Sequence, residues 1–169
     1  MKLQTPRLDL RPFREEDAPA LYDYARDPRV GPAAGWRPHE SLEESRQAIR
    51  RTLTGPRVFA LWERATGQLI GSAGFTGLPG GDSREIGYSL RPDRWGRGYA
   101  TEAVGALAAY GFGILGLSAL WASHYDGNRA SRRVLEKNGF TWLFAQELQD
   151  GQGDHLVHFY KLTREEWSL

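Results

Sequence analysis

The chain has 169 residues, 40% of them hydrophobic and 12% aromatic, which is enough for a sizeable core, and one compact domain with no appended regulatory domain is expected. With 22 Lys and Arg against 21 Asp and Glu the net charge is +1, which gives no sign of the strongly basic face of a nucleic-acid binder or of an anionic-membrane binder. There is no cysteine, so disulfide scaffolds, thiolate zinc sites and any route through an enzyme thiol are excluded as well.

Residues 1–14 carry Lys2, Arg7 and Arg11 with no apolar run between them, so they do not read as a secretory signal, and a cytoplasmic location is expected. Leu8, Asp9 and Leu10 alternate and are closed by Pro12, which predicts a strand. Over residues 15–26, Ala18, Leu21, Tyr22 and Ala25 form one helical stripe that Asp27-Pro28 ends. Residues 28–38, rich in Pro and Gly around Trp36, form a loop long enough to have a purpose. Ser41 with Glu44 three residues on is a capping box that opens a helix to about Leu53, and Gly55-Pro56 stops it. Residues 58–62 and 69–75 are predicted strands joined as a hairpin by Ala65-Thr66-Gly67. A glycine loop over 78–82 precedes a strand over 84–90.

Residues 103–122 carry no formal charge, but glycines at 105, 111, 113 and 116 divide the run. It reads as a buried helix from Tyr99 to about Gly113, a turn and a strand over 119–124, not as a membrane span. A helix over 130–137, ended by Asn138-Gly139, and a hairpin of 140–147 with 155–162 around Asp150-Gly151 complete the chain. The order of elements predicts an α/β (α+β) chain with a mixed sheet, not a doubly wound parallel one.

Gly111-Phe112-Gly113-Ile114-Leu115-Gly116 spells the dinucleotide pattern, yet a helix runs into it and a strand leaves it, the reverse of what a pyrophosphate site needs. The segment Arg94-Trp95-Gly96-Arg97-Gly98-Tyr99-Ala100-Thr101-Glu102 has the correct context of strand, turn, glycines and helix. Gly96 and Gly98 let the backbone approach a ligand, the first helical turn offers free N–H groups to phosphate, and Arg97 can add a charge-assisted bond. The alternative is an ordinary glycine-rich helix start with a Trp packed on it.

At this segment the sequence resembles the GNAT superfamily of acetyl-CoA-dependent N-acetyltransferases. Thr5-Pro6-Arg7-Leu8-Asp9-Leu10-Arg11-Pro12 resembles the opening of its RimJ/RimL-like branch, and Glu85-Ile86-Gly87-Tyr88 that branch's central strand. Asn128-Arg129-Ala130-Ser131 and Leu135-Glu136-Lys137-Asn138-Gly139-Phe140 resemble the superfamily's second CoA-binding segment. The resemblance implies a GNAT-like, mostly antiparallel twisted sheet of about seven strands flanked by about four helices. It also implies an acetyl transfer from acetyl-CoA to an amine, either a protein N-terminus or a small molecule. Trp95, Gly96, Arg97, Gly98, Tyr99, Ala100 and Thr101 inherit the CoA-pyrophosphate loop. Leu90 inherits the strand end that pairs with the pantetheine arm, Asn128 a hydrogen bond to that arm, and Ser131 a place near the sulfur. Two departures stand out: Trp95 where the wider superfamily prefers Gln or Arg, and Leu135 where many members carry the tyrosine that protonates the leaving thiolate.

Transfer to an amine needs a carboxylate to take the amine's proton. Glu85 is the candidate base, against a reading in which it is a solvated strand-end residue paired with Arg84. Ser131 is the best-placed residue at the sulfur, and Tyr88 and Tyr125 read as packing residues. His39, His124, His155 and His158 have no metal-binding spacing, so no metal is expected. Arg129, Arg132 and Arg133 are candidates for the cofactor's 3′-phosphate, against an equally good reading as a solvated helix face, and Arg91, Arg94 and Arg97 flank the loop. The acceptor pocket is expected from residues 28–38, 78–82 and the last hairpin, with Trp36 either a lid residue or, as is commoner for a Trp, packed on the core. Absent cysteine, transfer is expected to run directly through a ternary complex. The rival reading is a non-catalytic acyl-CoA-binding module, with a nucleotide-binding protein behind it. Monomer and homodimer both remain open, and no nucleic acid or membrane partner is expected.

Overall fold

A computed structural model describes residues 1–53 and 57–168, except the side chains of residues 77–80. Strands β1 (Leu3–Gln4), β2 (Leu8–Pro12), β3 (Val58–Glu63), β4 (Gln68–Gly80) and β5 (Ser83–Leu90) pair in sequence, each antiparallel to the last. Strand β6 (Ala119–Tyr125) lies parallel to β5, and β7 (Thr141–Asp150) and β8 (Gly153–Thr163) add antiparallel beyond it. The sheet therefore has eight strands in the order β1-β2-β3-β4-β5-β6-β8-β7. Helices α1 (Ala18–Ala25), α2 (Leu42–Ala48), α3 (Tyr99–Gly113), α4 (Arg129–Lys137) and α5 (Arg164–Trp167) complete the fold.

Alternation along the strands assigns two apolar layers. Leu8, Leu10, Phe59, Leu61, Ile70, Phe75 and Ile86 face Val104, Leu107 and Ala108 of α3, with Leu135 of α4 beside them. On the other face Ala60 and Leu69 meet Leu21, Tyr24 and Ala25 of α1, with Ile49 just past α2. The α1–α2 layer covers the β2–β4 part of its face. The uncharged stretch divides as expected, since α3 ends at Gly113 and β6 begins at Ala119. Among the described residues no helix is long and apolar enough to cross a membrane.

The structure departs from the sequence reading in small elements. β1 has two residues, too few for any period, and α5 has four, held by a capping box between Thr163 and Glu166. Ser41 Oγ accepts the Glu44 N–H at 3.1 Å, but the Glu44 carboxylate returns to the Glu40 N–H at 2.7 Å, one residue before the cap. α2 passes into a π turn over Ile49–Leu53, and the stop expected at Gly55-Pro56 lies outside the described residues. Because β4 runs on to Gly80, paired with Ser83, the loop expected over 78–82 contracts to a turn at Gly81 and Asp82. Of the two readings for Trp36, the structure has the packed one: the ring is half-buried against the α1–α2 layer and tilted on His39 at 5.5 Å.

Two carboxylates tie the α3 entry to the N-terminal strands. Glu63, buried at the end of β3, accepts from Thr66 Oγ1 at 2.6 Å, from Arg94 Nη2 at 3.0 Å and from the Tyr99 hydroxyl. Glu102 accepts from the Arg7 N–H at 2.8 Å and from Arg7 Nε at 2.7 Å. Arg7 also lies over the Tyr99 ring at 4.3 Å and donates from Nη1 to the Arg97 carbonyl at 2.8 Å. Hydrogen bonds from Thr66 and Tyr99, with the Arg94 guanidinium, hold the Glu63 carboxyl at about 2, against an ordinary 4.5. The folded state therefore binds that proton less readily than the unfolded chain does. The resulting stability is complete above about pH 4.5 and drains away as pH falls toward 2. Glu63→Gln is expected to cost about 2 kcal/mol at pH 7, lowering Tm by roughly 4–8 °C. Thermal unfolding followed by circular dichroism should show the gap between variant and parent closing as pH approaches 2.

Candidate active site

The parallel β5–β6 ladder is short. Its pairs run from Ser83 with Ala119 to Ile86 with Ala122, and beyond Ile86 the two strands part. The Arg91 N–H donates to the Ile70 carbonyl at 2.8 Å, which fixes the alternation along β5. Tyr88 and Leu90 accordingly turn their N–H and C=O groups away from β4 and into the gap. Trp95 folds back over this edge and donates its indole N–H to the Leu90 carbonyl at 2.8 Å. Neither Tyr88 nor Leu90 has a residue of β6 paired with it among the described residues.

The gap widens into a cleft of about 830 Å³ lined by β5, β6, the α3 entry, α4 and residues around the 3₁₀ turn Pro32–Ala34. At one end stands the glycine segment. Gly96 and Gly98 have φ of +71° and +80°, a region L side chains rarely enter. The first intrahelical bond of α3 runs from the Glu102 N–H to the Gly98 carbonyl at 3.0 Å. The six N–H groups from Gly96 to Thr101 are thus without backbone acceptors among the described residues. Gly96, Gly98, Tyr99, Ala100 and Thr101 line the cleft with Trp95.

Charge at this end differs from the expectation. Arg91 is paired with Asp93 at 2.7 Å, and Arg94 with Glu63 and Asp93, because a buried carboxylate requires a countercharge. Arg97 keeps its guanidinium without a partner among the described residues but lies outside the cleft lining. Of the α4 cations, Arg132 is held by Glu136 at 2.7 Å and Arg129 does not line the cleft. Arg133 lines it, as does Lys137 one turn on, which the sequence reading did not single out.

Glu85 and Ser131 stand on opposite sides of β5. Glu85 lines the cleft on the α1–α2 face and accepts from Ser123 Oγ at 3.0 Å through Oε1, leaving Oε2 open. The alternative pairing with Arg84 does not form, since Arg84 donates to the Gly81 and Ser83 carbonyls instead. Asn128 caps α4 through Oδ1, which accepts the Ser131 N–H at 3.1 Å, and its side-chain N–H groups have no partner among the described residues. Ser131 Oγ lies 2.6 Å from the Tyr88 hydroxyl.

Tyr88, expected only to pack, does pack against the core but also brings that hydroxyl into the cleft. Burial pushes the phenol up to about 12, so it keeps its proton at neutral pH. Period-2 alternation from Glu85 could have found it, since Ile86, Tyr88 and Leu90 must share the α3–α4 face. Leu135 is fully buried in the core, so the family's usual tyrosine position is not in the cleft here. His124, also missed, lines the cleft with Nδ1 2.8 Å from the Tyr125 carbonyl, and burial lowers its imidazole below the usual value. Among the described residues no group of three or more His, Cys, Asp or Glu is placed to hold a metal.

A sequence profile described as the acetyltransferase (GNAT) domain matches residues 7–141. The N-acetyltransferase YoaA of Bacillus subtilis (strain 168), itself uncharacterised, is 35% identical over 145 residues, covering 82% of this chain and 81% of its own. The structure of a GNAT-family acetyltransferase from Bacillus anthracis superposes with a TM-score of 0.89 at 26% identity, over 98% of this chain and 99% of that one. Ribosomal-protein-S5-alanine acetyltransferase from Vibrio fischeri shares the fold, with a TM-score of 0.80 at 18% identity over 99% and 98% of the two chains. On a profile spanning most of its length and a relative this similar, the chain belongs to the GNAT acetyltransferase family, whose members take their acetyl group from acetyl-CoA.

Proposed function

We propose that this chain is an N-acetyltransferase that moves an acetyl group from acetyl-CoA directly to a primary amine, with Glu85 as base. The observation that carries this reading is that a run of six N–H groups without backbone acceptors, five of whose residues line the cleft, and a carboxylate with one open oxygen belong to one cleft. The N–H groups of residues 96–101 suit a pyrophosphate, and Arg133 and Lys137 suit a further phosphate. The edge of β5 at Tyr88 and Leu90, unpaired with β6, suits a pantetheine arm lying as a strand, and the free Asn128 amide can bond the same arm.

When bound, acetyl-CoA supplies a thioester whose carbonyl carbon bonds to the amine nitrogen as the C–S bond breaks. Glu85 Oε2 takes the proton that the amine must lose. The Tyr88–Ser131 pair holds a proton at the other side of β5, where the sulfur departs with its electron pair. A cysteine-free chain offers no thiol for an acyl-enzyme, which supports direct transfer over a covalent route. The segments that match the RimJ/RimL-like branch support a protein N-terminus or a small-molecule amine as acceptor.

Binding and chemistry are separable by experiment. Acetyl-CoA at saturation should raise Tm, and Gly98→Ala should weaken its calorimetric Kd about tenfold, because φ near +80° strains any Cβ there. A shift without thiol release on any amine of a broad panel would favour a non-catalytic acyl-CoA-binding module. Glu85→Gln should bind acetyl-CoA normally yet lose roughly 10²–10³ in kcat/KM at pH 7. The deficit should shrink as pH rises and the amine loses its proton unaided. Tyr88→Phe and Ser131→Ala should each lower kcat about tenfold, and the double variant no more than the worse single one, because a pair acting as one unit is lost only once.

A further inference from the structure

On the α1–α2 side the core takes strand residues from β3 and β4, and none from β6, β7 or β8 among the described residues. Leu120 of β6 and Tyr160 of β8 turn into the α3 core on the opposite side. Their neighbours Trp121, Ser123, Phe159 and Lys161 therefore share the face that holds Glu85. The register brings them together. Glu85 pairs with Trp121 and Trp121 with Lys161, while Ser123 pairs with Phe159, on which the Phe144 ring of β7 stacks at 4.9 Å.

Two opposite charges thus converge on β6 from its two sides. Glu85 accepts from Ser123 Oγ at 3.0 Å and keeps Oε2 open, and the Lys161 ammonium lies 5.3 Å from the centre of the Trp121 ring. Their strands are two spacings, about 10 Å, apart. Among the described residues neither group forms an ion pair, with the other or elsewhere. Glu166 lies near enough to feel the Lys161 charge, but its carboxylate is spent on the Thr163 N–H and Oγ1, both at 2.8 Å. Small Ser123 leaves a lane from Glu85 to the Phe159 and Phe144 rings.

We infer that the acceptor is a small amine that also carries a carboxylate and an aromatic group, an inference that rests on the acetyl-transfer reading. Its amine meets Glu85, its ring lies on Phe159 and Phe144, and its carboxylate meets Lys161. A simple amine would satisfy Glu85 and leave the ammonium unused. A protein N-terminus has a neutral peptide group where an amino acid has its carboxylate. Cation–π attraction to Trp121 holds the ammonium in place, so the anion finds a fixed partner. Acetylation turns the amine into a neutral amide as its proton passes to Glu85 and the C–S bond breaks. The product then keeps only the Lys161 end of its charge pairing.

Calorimetry on the intact chain saturated with free CoA, which carries no acetyl group to transfer, tests this. Phenylalanine should bind about tenfold more tightly than phenethylamine, which keeps the ring and amine without the carboxylate. It should also bind about tenfold more tightly than alanine, which lacks the ring. Lys161→Gln should bring phenylalanine and phenethylamine level, and Lys161→Arg should keep most of the preference. Lys2→Gln, at the far edge of the sheet beside Asp9, should keep all of it. Equal binding of the two by the parent chain, as a site for a protein N-terminus would give, overturns the inference. So does a preference that survives in Lys161→Gln. Mass spectrometry of the same acceptors with acetyl-CoA separates this from the reading beneath it. Binding that depends on Lys161, without any acetylphenylalanine, keeps the site and overturns the transfer. Turnover of other amines with no binding of phenylalanine overturns the site.

Discussion

The rest of the site depends on a ladder that stops early. Strands β5 and β6 are parallel because α3 crosses between them, and they stay paired only from Ser83 to Ile86. Had the ladder continued, the edge groups of Tyr88 and Leu90 would bond to β6 and no cleft would exist. The same divergence aims the α3 entry across the gap, so its unspent N–H groups and the open strand edge face a common space. It also sets Glu85 and the Tyr88–Ser131 pair on opposite faces of one strand.

Much of this was legible in the sequence, and the reasons are local. Alternation found β2, turn and glycine signals bounded β3 to β6, and the glycines at 96 and 98 announced a helix entry where the backbone has positive φ. The one ambiguity of the uncharged stretch, span or helix followed by strand, reduces to the fact that three of its glycines, 111, 113 and 116, fall at or just past the end of α3. What stayed hidden were pairings between residues far apart in the chain. Nothing near Arg94 says that it belongs to Glu63, thirty-one residues earlier, so it reads as a free phosphate-binding cation. Nothing near Tyr88 says that α4 brings Ser131 to its hydroxyl.

Charge in this molecule is arranged by subtraction. Several arginines cluster near the glycine segment, but Asp93 and Glu63 occupy two of them. The unspent cations that line the cleft, Arg133 and Lys137, stand on α4 and face the segment from the other wall. A nearly neutral chain thus leaves positive charge where the cleft needs it, by neutralising the arginines that brace the loop from behind.

Glu63 sits on β3 and touches the loop through Arg94 and Tyr99, so the shape of the loop is settled when the chain folds. A ligand arriving there finds its donors already set and loses little entropy in ordering them. Firmness of fold and grip on the ligand then reside in one carboxylate. On the proposed function, a change at position 63 cannot relax either without relaxing both.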